Sequence, residues 1–427
     1  MNIEIINTGS ELLLGRVLNT HAQWLCRQLA DLGYTVARQV TCDDTGPAIE
    51  AAVREALGRA DFIITTGGLG PTSDDRTRDL IAALLGRPLR MDAAALDHVV
   101  QFFAARKRPI PESTKVQGLV PEGAEVLMNA NGTAPGLVLE TAPGQFRAAP
   151  SCLVMLPGPP RELRPMFTNQ VVPLLRKKFP LETAFVCRTL KTTGLGESRV
   201  EELIVEPLKH LTDAGLELGY CARTGEVDLR FVARGCGAAE SVAEAEQIVR
   251  GLMVDNIFGV DDEQLESVIV RLLTEKKQTV ALAESCTGGF IANRLSNVPG
   301  ASAVLWGGLV TYANAAKEKL LGVRGTTLAE HGAVSEETAR EMAEGARKIS
   351  GADYAIAVTG IAGPSGGSDA KPVGTVFIGL ATPEKTVVLR CLNRYDRETF
   401  KYVTSQQALE MLRRSLAEFE KRPIGGP

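Results

Sequence analysis

The chain has 427 residues, 44% of them hydrophobic, and a formal net charge of −4 from 47 basic and 51 acidic side chains. This length predicts two or three domains rather than one core, and the slightly acidic balance argues against a general nucleic-acid or membrane-surface binder. Eight cysteines without a CxxC pair read as reduced thiols of a cytoplasmic protein, and no apolar run approaches the roughly 18 residues of a membrane span.

The chain opens directly on a short apolar strand, Asn2–Ile6, with no signal peptide before it. Asn7-Thr8-Gly9-Ser10-Glu11 ends that strand, and a helix follows with Trp24, Leu25, Leu29 and Leu32 on one face. A strand over Tyr34–Val40 stops at Asp43-Asp44, a helix spans Ala48–Leu57, and Asp61–Thr65 is a third strand. This alternation predicts βαβαβ units on a parallel sheet. The third strand runs into Thr66-Gly67-Gly68-Leu69-Gly70-Pro71-Thr72-Ser73-Asp74-Asp75, whose glycine offsets are not those of a dinucleotide fingerprint. It does place backbone amides and two carboxylates at a helix start, where phosphate could be bridged by a divalent metal to Asp74 or Asp75. The plainer reading is that this pair caps the helix Arg76–Leu85. Asp44 and Glu11 at two neighbouring strand ends favour a site, because such sheets bind ligands at their carboxyl ends.

Residues 110–165 carry ordered Pro-, Gly- and Asn-rich turns, including Asn129-Ala130-Asn131-Gly132 and, after the strand Cys152–Leu156, Pro157-Gly158-Pro159-Pro160-Arg161. Arg161 could hold a phosphate or simply face solvent. From about 182 to 260 a small α+β pattern follows, with strands Phe185–Thr192, Leu216–Cys221 and Glu226–Ala233 and a helix Ala238–Met253. It shows no cluster of titratable residues along the sequence and reads as a spacer or assembly module.

The last third repeats one device three times, an apolar strand ending in a turn of small or hydroxyl residues. The turns are Glu284-Ser285-Cys286-Thr287-Gly288-Gly289, then Thr311-Tyr312-Ala313-Asn314-Ala315-Ala316-Lys317, then Thr359-Gly360-Ile361-Ala362-Gly363-Pro364. Together they suggest one pocket at the edge of an α/β sheet, with the helix from Phe290 directing its positive end at an anion or oxyanion. Strands Thr375–Ala381 and Thr386–Leu392 precede a long terminal helix, and the tail from Arg422 reads as frayed.

In this order the motifs resemble the CinA family (competence/damage-inducible protein A) across essentially the whole chain. The resemblance implies an α/β protein of three parts: a molybdenum-cofactor-biosynthesis (MoCF)-like domain over 1–172, a KH-type α+β module over 180–258, and a nicotinamide mononucleotide (NMN) deamidase domain over 264–422. It implies metal-dependent ADP-ribose pyrophosphatase activity in the first domain. ADP-ribose would contact Glu11, Gly67, Gly68, Gly70, Asn131, Gly158 and Arg161, and the divalent metal Asp44, Asp74 and Asp75. The turn Gly194-Leu195-Gly196-Glu197 departs from the GXXG loop that grips nucleic acid, so RNA binding does not carry over. A homodimer is the family expectation.

For the last domain the resemblance implies a cofactor-free serine hydrolase using Ser, Tyr and Lys. Tyr312 and Lys317 are the candidates for two of these roles. The nucleophile is Ser285 or Ser302; Ser302 with Lys317 is favoured here, with Ser285 and Thr287 holding substrate. Cys286, Gly288, Gly289, Thr359, Gly360 and Gly363 would cradle NMN, and Arg397 would take its phosphate unless it pairs with Asp396 or Glu398. Cys286 competes as a nucleophile because a thiol at a helix N-terminus is activated. Lys317 works as a base only if burial lowers its pKa. A molybdopterin enzyme and a non-catalytic nucleotide-binding adaptor are the alternative functions.

Overall fold

The computed structural model describes residues 1–418; the expected tail from Arg422 and the end of the last domain lie outside them. The chain divides into two compact units, Met1–Phe185 and a second from Val186 onward. All eight cysteines are free. Among the described residues no helix is long and apolar enough to cross a membrane.

In the first unit the strands are β1 (Ile3–Thr8), β2 (Val36–Cys42), β3 (Phe62–Thr66), β4 (Leu89–Met91), β5 (Leu119–Pro121), β6 (Glu125–Leu127), β7 (Gly136–Glu140) and β8 (Cys152–Leu156). Six of them form a sheet in the order β2-β1-β3-β8-β7-β6, while β4 and β5 pair apart from it. β2, β1, β3 and β8 run parallel and β7 and β6 antiparallel, so the expected parallel sheet carries an antiparallel edge. Both faces are covered: Ile5 and Phe62 pack with Leu25 and Leu29 on one side, and Ile6 and Ile63 with Ile49 and Val53 on the other. Such double burial is why β3 and β8 read as near-continuous apolar runs, while β1 carries Glu4 within its run, buried against Arg59 at 2.6 Å. The register aligns Thr8 with Cys42, Asn7 with Thr66, and Thr66 with Leu156. The turns that follow these four strands therefore meet at one end of the sheet.

The second unit contains β9 (Phe185–Thr193), β10 (Glu217–Arg223), β11 (Glu226–Arg234) and β12 (Ile257–Val260) in a sheet ordered β10-β11-β9-β12. The helix Ala238–Leu252 covers it through Val242, Ala245 and Val249. Contrary to the sequence expectation, this module buries charge. Lys191 is fully buried and donates to Asp228 at 2.6 Å, Asp228 also takes Arg223 at 2.8 Å, and Glu226 is 4% exposed. Lys191 comes from β9, far along the chain, whereas Arg223, Glu226 and Asp228 sit together across the β10–β11 turn, so a short run of the sequence shows part of the group but not the lysine that it buries.

The second sheet, β14-β13-β15-β16-β17, joins β13 (Val280–Glu284), β14 (Leu305–Val310), β15 (Tyr354–Gly360), β16 (Thr375–Ala381) and β17 (Thr386–Leu392). β14, β13 and β15 are parallel, and β16 and β17 antiparallel. Alternate residues divide between two faces. Val280, Leu282, Ile356, Val358 and Ile378 pack with Phe400, Leu409 and Leu412 of the helix Arg397–Glu418. Ala281, Ala283, Ala355 and Ala357 meet Met342, Ala343 and Ala346 of the helix Glu336–Ser350. The small side chains of that second face allow a close approach. A Cβ on Gly379 of β16 would lie 2.6 Å from the carbonyl oxygen of Ala339.

Candidate active site

β13 lies between β14 and β15, so the turns after all three parallel strands converge, as the sequence suggests, at the carboxyl edge of the sheet on the side where β14 is outermost. Ser285 is the first residue past β13, and its amide donates to the carbonyl of Val358 at 3.0 Å. Gly288 (φ +60°) and Gly289 (φ +95°) take left-handed conformations that reverse the chain into the helix Phe290–Ser296. Lys317, in the first turn of the helix Asn314–Leu321, points back into the site and is 1% exposed. Its Nζ lies 3.0 Å from Ser285 Oγ, 2.9 Å from the carbonyl oxygen of Thr311 and 3.1 Å from that of Tyr312.

Burial pulls the Lys317 ammonium down from its ordinary value, and the opposing influence is a negative charge on Cys286. Burial also pushes the Cys286 thiol up to about 12, so at neutral pH that charge is absent. Burial of the thiol in this way argues against Cys286 as an activated nucleophile. Nζ donates to all three oxygens; were Lys317 to lose a proton, its two remaining hydrogens would serve the Thr311 and Tyr312 carbonyls and its lone pair would face the Ser285 hydroxyl.

Ser302 does not join this group. It is exposed, on a short 3-10 turn before β14, whereas Lys317 follows that strand. The six residues of β14, about 20 Å of extended chain, separate the two ends. The geometry therefore reverses the preference between the two serines. The expected anion site at the start of the helix Phe290–Ser296 is also filled from within. Buried Glu284 accepts the amides of Gly289 at 2.9 Å, Ile291 at 3.1 Å and Ala292 at 2.8 Å.

Tyr312 is 59% exposed on the turn before the Lys317 helix, and Arg397 donates to its hydroxyl at 2.7 Å and to the Gly363 carbonyl at 3.0 Å. Asp396 instead accepts the amides of Glu398 and Thr399, so Arg397 is tied to Tyr312 and the Gly363 turn and not to its acidic neighbours. Thr287 is fully buried with an unpartnered Oγ1, and Thr359 Oγ1 donates to the Ala333 carbonyl at 2.6 Å. A Cβ on Gly360 would press on the Thr375 carbonyl at 2.8 Å, and one on Gly363 on Val373 at 2.6 Å, so these glycines let strands and loop close around the turn.

In the first unit the converging turns enclose a cleft of about 420 Å³. Of the residues expected there, Glu11, Asp44, Gly67, Gly68, Gly70, Asp74, Asp75 and Gly158 line it. Asn131 and Arg161 do not: Asn131 is exposed with its amide on Asn129 Oδ1, and Arg161 is 79% exposed beside Glu162. The aspartate pair is no helix cap, because the cap residue of the helix Thr77–Leu84 is Arg76 and has no side-chain cap bond. Asp75 instead accepts from the amide and hydroxyl of Thr72, and the Thr72 hydroxyl also holds the exposed Asp74 carboxyl below its ordinary value. Among the described residues no group of three or more His, Cys, Asp or Glu is drawn close enough to hold a metal ion. The rim is thus not a cage made by protein alone, and Asp44, Asp74 and Asp75 would need further oxygen ligands to hold a divalent ion.

Comparison with known proteins places these two sites in one frame. The family described as CinA C-terminal domain matches residues 262–416, the damage-inducible protein CinA KH domain matches 187–259, and the probable molybdopterin binding domain matches 4–177. A relative from Caldicellulosiruptor bescii is 44% identical over 98% of this chain and 100% of its own. The chain belongs to the CinA family. A CinA-like protein from Chlorobaculum tepidum is 42% identical over 98% of this chain and 100% of its own. The solved competence/damage inducible protein CihA of Agrobacterium tumefaciens is 46% identical, covering 36% of this chain and 93% of its own, with a TM-score of 0.34.

Several residues of this CinA chain were not legible as site residues. Glu284 looks like any acidic strand end, yet it organises the serine turn. Thr311 contributes only its carbonyl, which no motif can announce. In the first unit His21 pairs with the Gly158 carbonyl and Glu162, 7% exposed, holds Asn129 at 2.8 Å beneath the cleft. The Pro-Gly-Pro-Pro turn was the available signal for this group.

Proposed function

We propose that the carboxy-terminal site is a serine amidase that hydrolyses the carboxamide of NMN to nicotinate mononucleotide and ammonia. The observation that carries this reading is the 3.0 Å contact between buried Lys317 Nζ and Ser285 Oγ. As Ser285 Oγ attacks the amide carbon, its proton passes to Lys317 Nζ. The amides of Cys286 and Thr287, taken up by neither Glu284 nor a backbone carbonyl and turned toward the weak acceptor Cys286 Sγ, are the donors available to an oxyanion. Lys317 then returns the proton to the departing nitrogen, ammonia leaves, and an acyl-serine remains. Water, deprotonated by the same amine, hydrolyses that ester and regenerates the serine. Ammonia release from NMN by the purified protein tests the reading, and a protein that releases none would sink it. It also separates the amidase from a nucleotide-binding adaptor, for which a buried lysine against a serine has no use.

Arg397 and Tyr312 stand at the mouth, where the phosphate of a mononucleotide would lie once its carboxamide reaches Ser285. Arg397→Ala is expected to raise KM for NMN about 10- to 100-fold with kcat little changed, the loss of a charge-assisted phosphate contact. Steady-state kinetics checks this; a change confined to kcat would remove Arg397 from binding.

A second reading applies to the amino-terminal cleft, as a site for ADP-ribose cleaved at its pyrophosphate. What supports it is the combination of a glycine-walled floor with Glu11, Asp44, Asp74, Asp75 and Glu162 in the lining. Among the described residues no lysine or arginine lines it. A diphosphate would meet unrelieved repulsion there, so a divalent cation would enter with the substrate, held by one or two of these carboxylates and the phosphates. Calorimetric titration with ADP-ribose is expected to show binding in magnesium and none in excess chelator; equal binding in both would overturn the reading.

A further inference from the structure

The helix Phe290–Ser296 begins at the serine turn, and its far end is held by Arg294, 7% exposed. Arg294 Nη1 donates to Ser405 Oγ at 2.8 Å, and Nη2 to Gln406 Oε1 at 2.8 Å and to Glu266 Oε2 at 2.7 Å. Gln406 is 1% exposed, and an amide so enclosed accepts with its oxygen only if something holds its nitrogen. That partner comes from the middle module: Gln406 Nε2 donates to Glu226 Oε1, on β11, at 2.7 Å. Tyr402 completes the packing, with Arg294 5.3 Å over its ring and the Phe290 ring at 6.4 Å.

We infer that Glu226 of the KH-type module is a positioning residue for the carboxy-terminal site, acting through Gln406 and Arg294 to hold the helix that carries the serine turn. The module is then more than a spacer, because it supplies the acceptor that orients Gln406. The chain of bonds is continuous: Glu226, Gln406, Arg294, the helix, and at its start the amides of Gly289, Ile291 and Ala292 held by Glu284. Ser285 immediately follows Glu284, so loosening the helix moves the nucleophile relative to Lys317. Removing the acceptor lets the Gln406 amide turn and leaves Arg294 one partner short.

The test is hydrogen exchange on the full chain, read at the amides of residues 289–296, with kinetics on NMN beside it; the kinetic arm rests on the amidase reading and the exchange arm does not. Glu226→Ala is expected to speed exchange across this helix about tenfold and to lower kcat by a similar factor with KM unchanged, the effect of one lost hydrogen bond to a charged group. Glu226→Gln keeps an acceptor and is expected to restore both. Val249→Ala, which thins the module's apolar core without touching the network, is expected to lower the module's stability and leave both readouts at the wild-type level. Unchanged exchange in Glu226→Ala, an equal effect in Val249→Ala, or failure of Glu226→Gln to restore would overturn the inference. A wild type that releases no ammonia would end the amidase reading, while the exchange result still decides the network.

Discussion

Ser285→Ala is expected to lower ammonia release from NMN by roughly 10³-fold or more, with Lys317→Ala as damaging and the double variant little worse than either. Residues that act as one unit lose their contribution together, and these two buried side chains share a 3.0 Å contact. Ser302→Ala is expected to stay within about twofold of wild type, since removing an exposed hydroxyl at the far end of β14 leaves the transition state untouched. The pH profile supplies the second arm. Burial lowers the Lys317 pKa and only the neutral amine accepts the serine proton. Activity is therefore present above that pKa and falls away as pH drops through it, with the midpoint below the free-lysine value of about 10.4. Lys317→Arg keeps the charge, cannot lose it, and is expected to be as inactive as Lys317→Ala. An active Ser285→Ala would return the nucleophile to open question.

The second large effect concerns stability. Asp228→Ala is expected to destabilise the second unit by about 3–5 kcal/mol, because it strands fully buried Lys191 without its 2.6 Å partner. Urea unfolding followed by a signal from that unit would show the midpoint falling. Replacing both partners together by Lys191→Met and Asp228→Leu is expected to recover much of the loss, since an apolar pair has no charge to desolvate. A drop below about 1 kcal/mol in the single variant would mean that water reaches Lys191.

Much of the fold was legible before any coordinates. The bounds of β8, β16 and β17 follow from apolar runs closed by turns, and the three hydroxyl-rich turns do converge. Legibility ended where chain distance and spatial distance part. Ser302 is nearer Lys317 in sequence, whereas Ser285, 32 positions away, is its neighbour because β13 and β14 run parallel. Parallel pairing puts strand ends, not strand starts, side by side, and Ser302 sits at a start. Asp74 and Asp75 have the composition of a helix cap, but the bonds of Thr72 turn them into the cleft's rim. Glu226 and Gln406 are 180 positions apart, and no periodicity links residues at that range.

Glu284 has a consequence for how a substrate must enter. By lodging a carboxylate against the start of the helix Phe290–Ser296, the chain cancels the positive pole that would otherwise draw an anion to the nucleophile. A mononucleotide approaching phosphate-first meets negative charge inside and the Arg397 guanidinium outside. On the proposed amidase reading, a mononucleotide would therefore dock with its carboxamide inward and its phosphate at the rim beside Arg397. On the same reading, the second nucleotide of a dinucleotide would have to pass the bond between Arg397 and Tyr312, and the rim would thus sort short substrates from long ones.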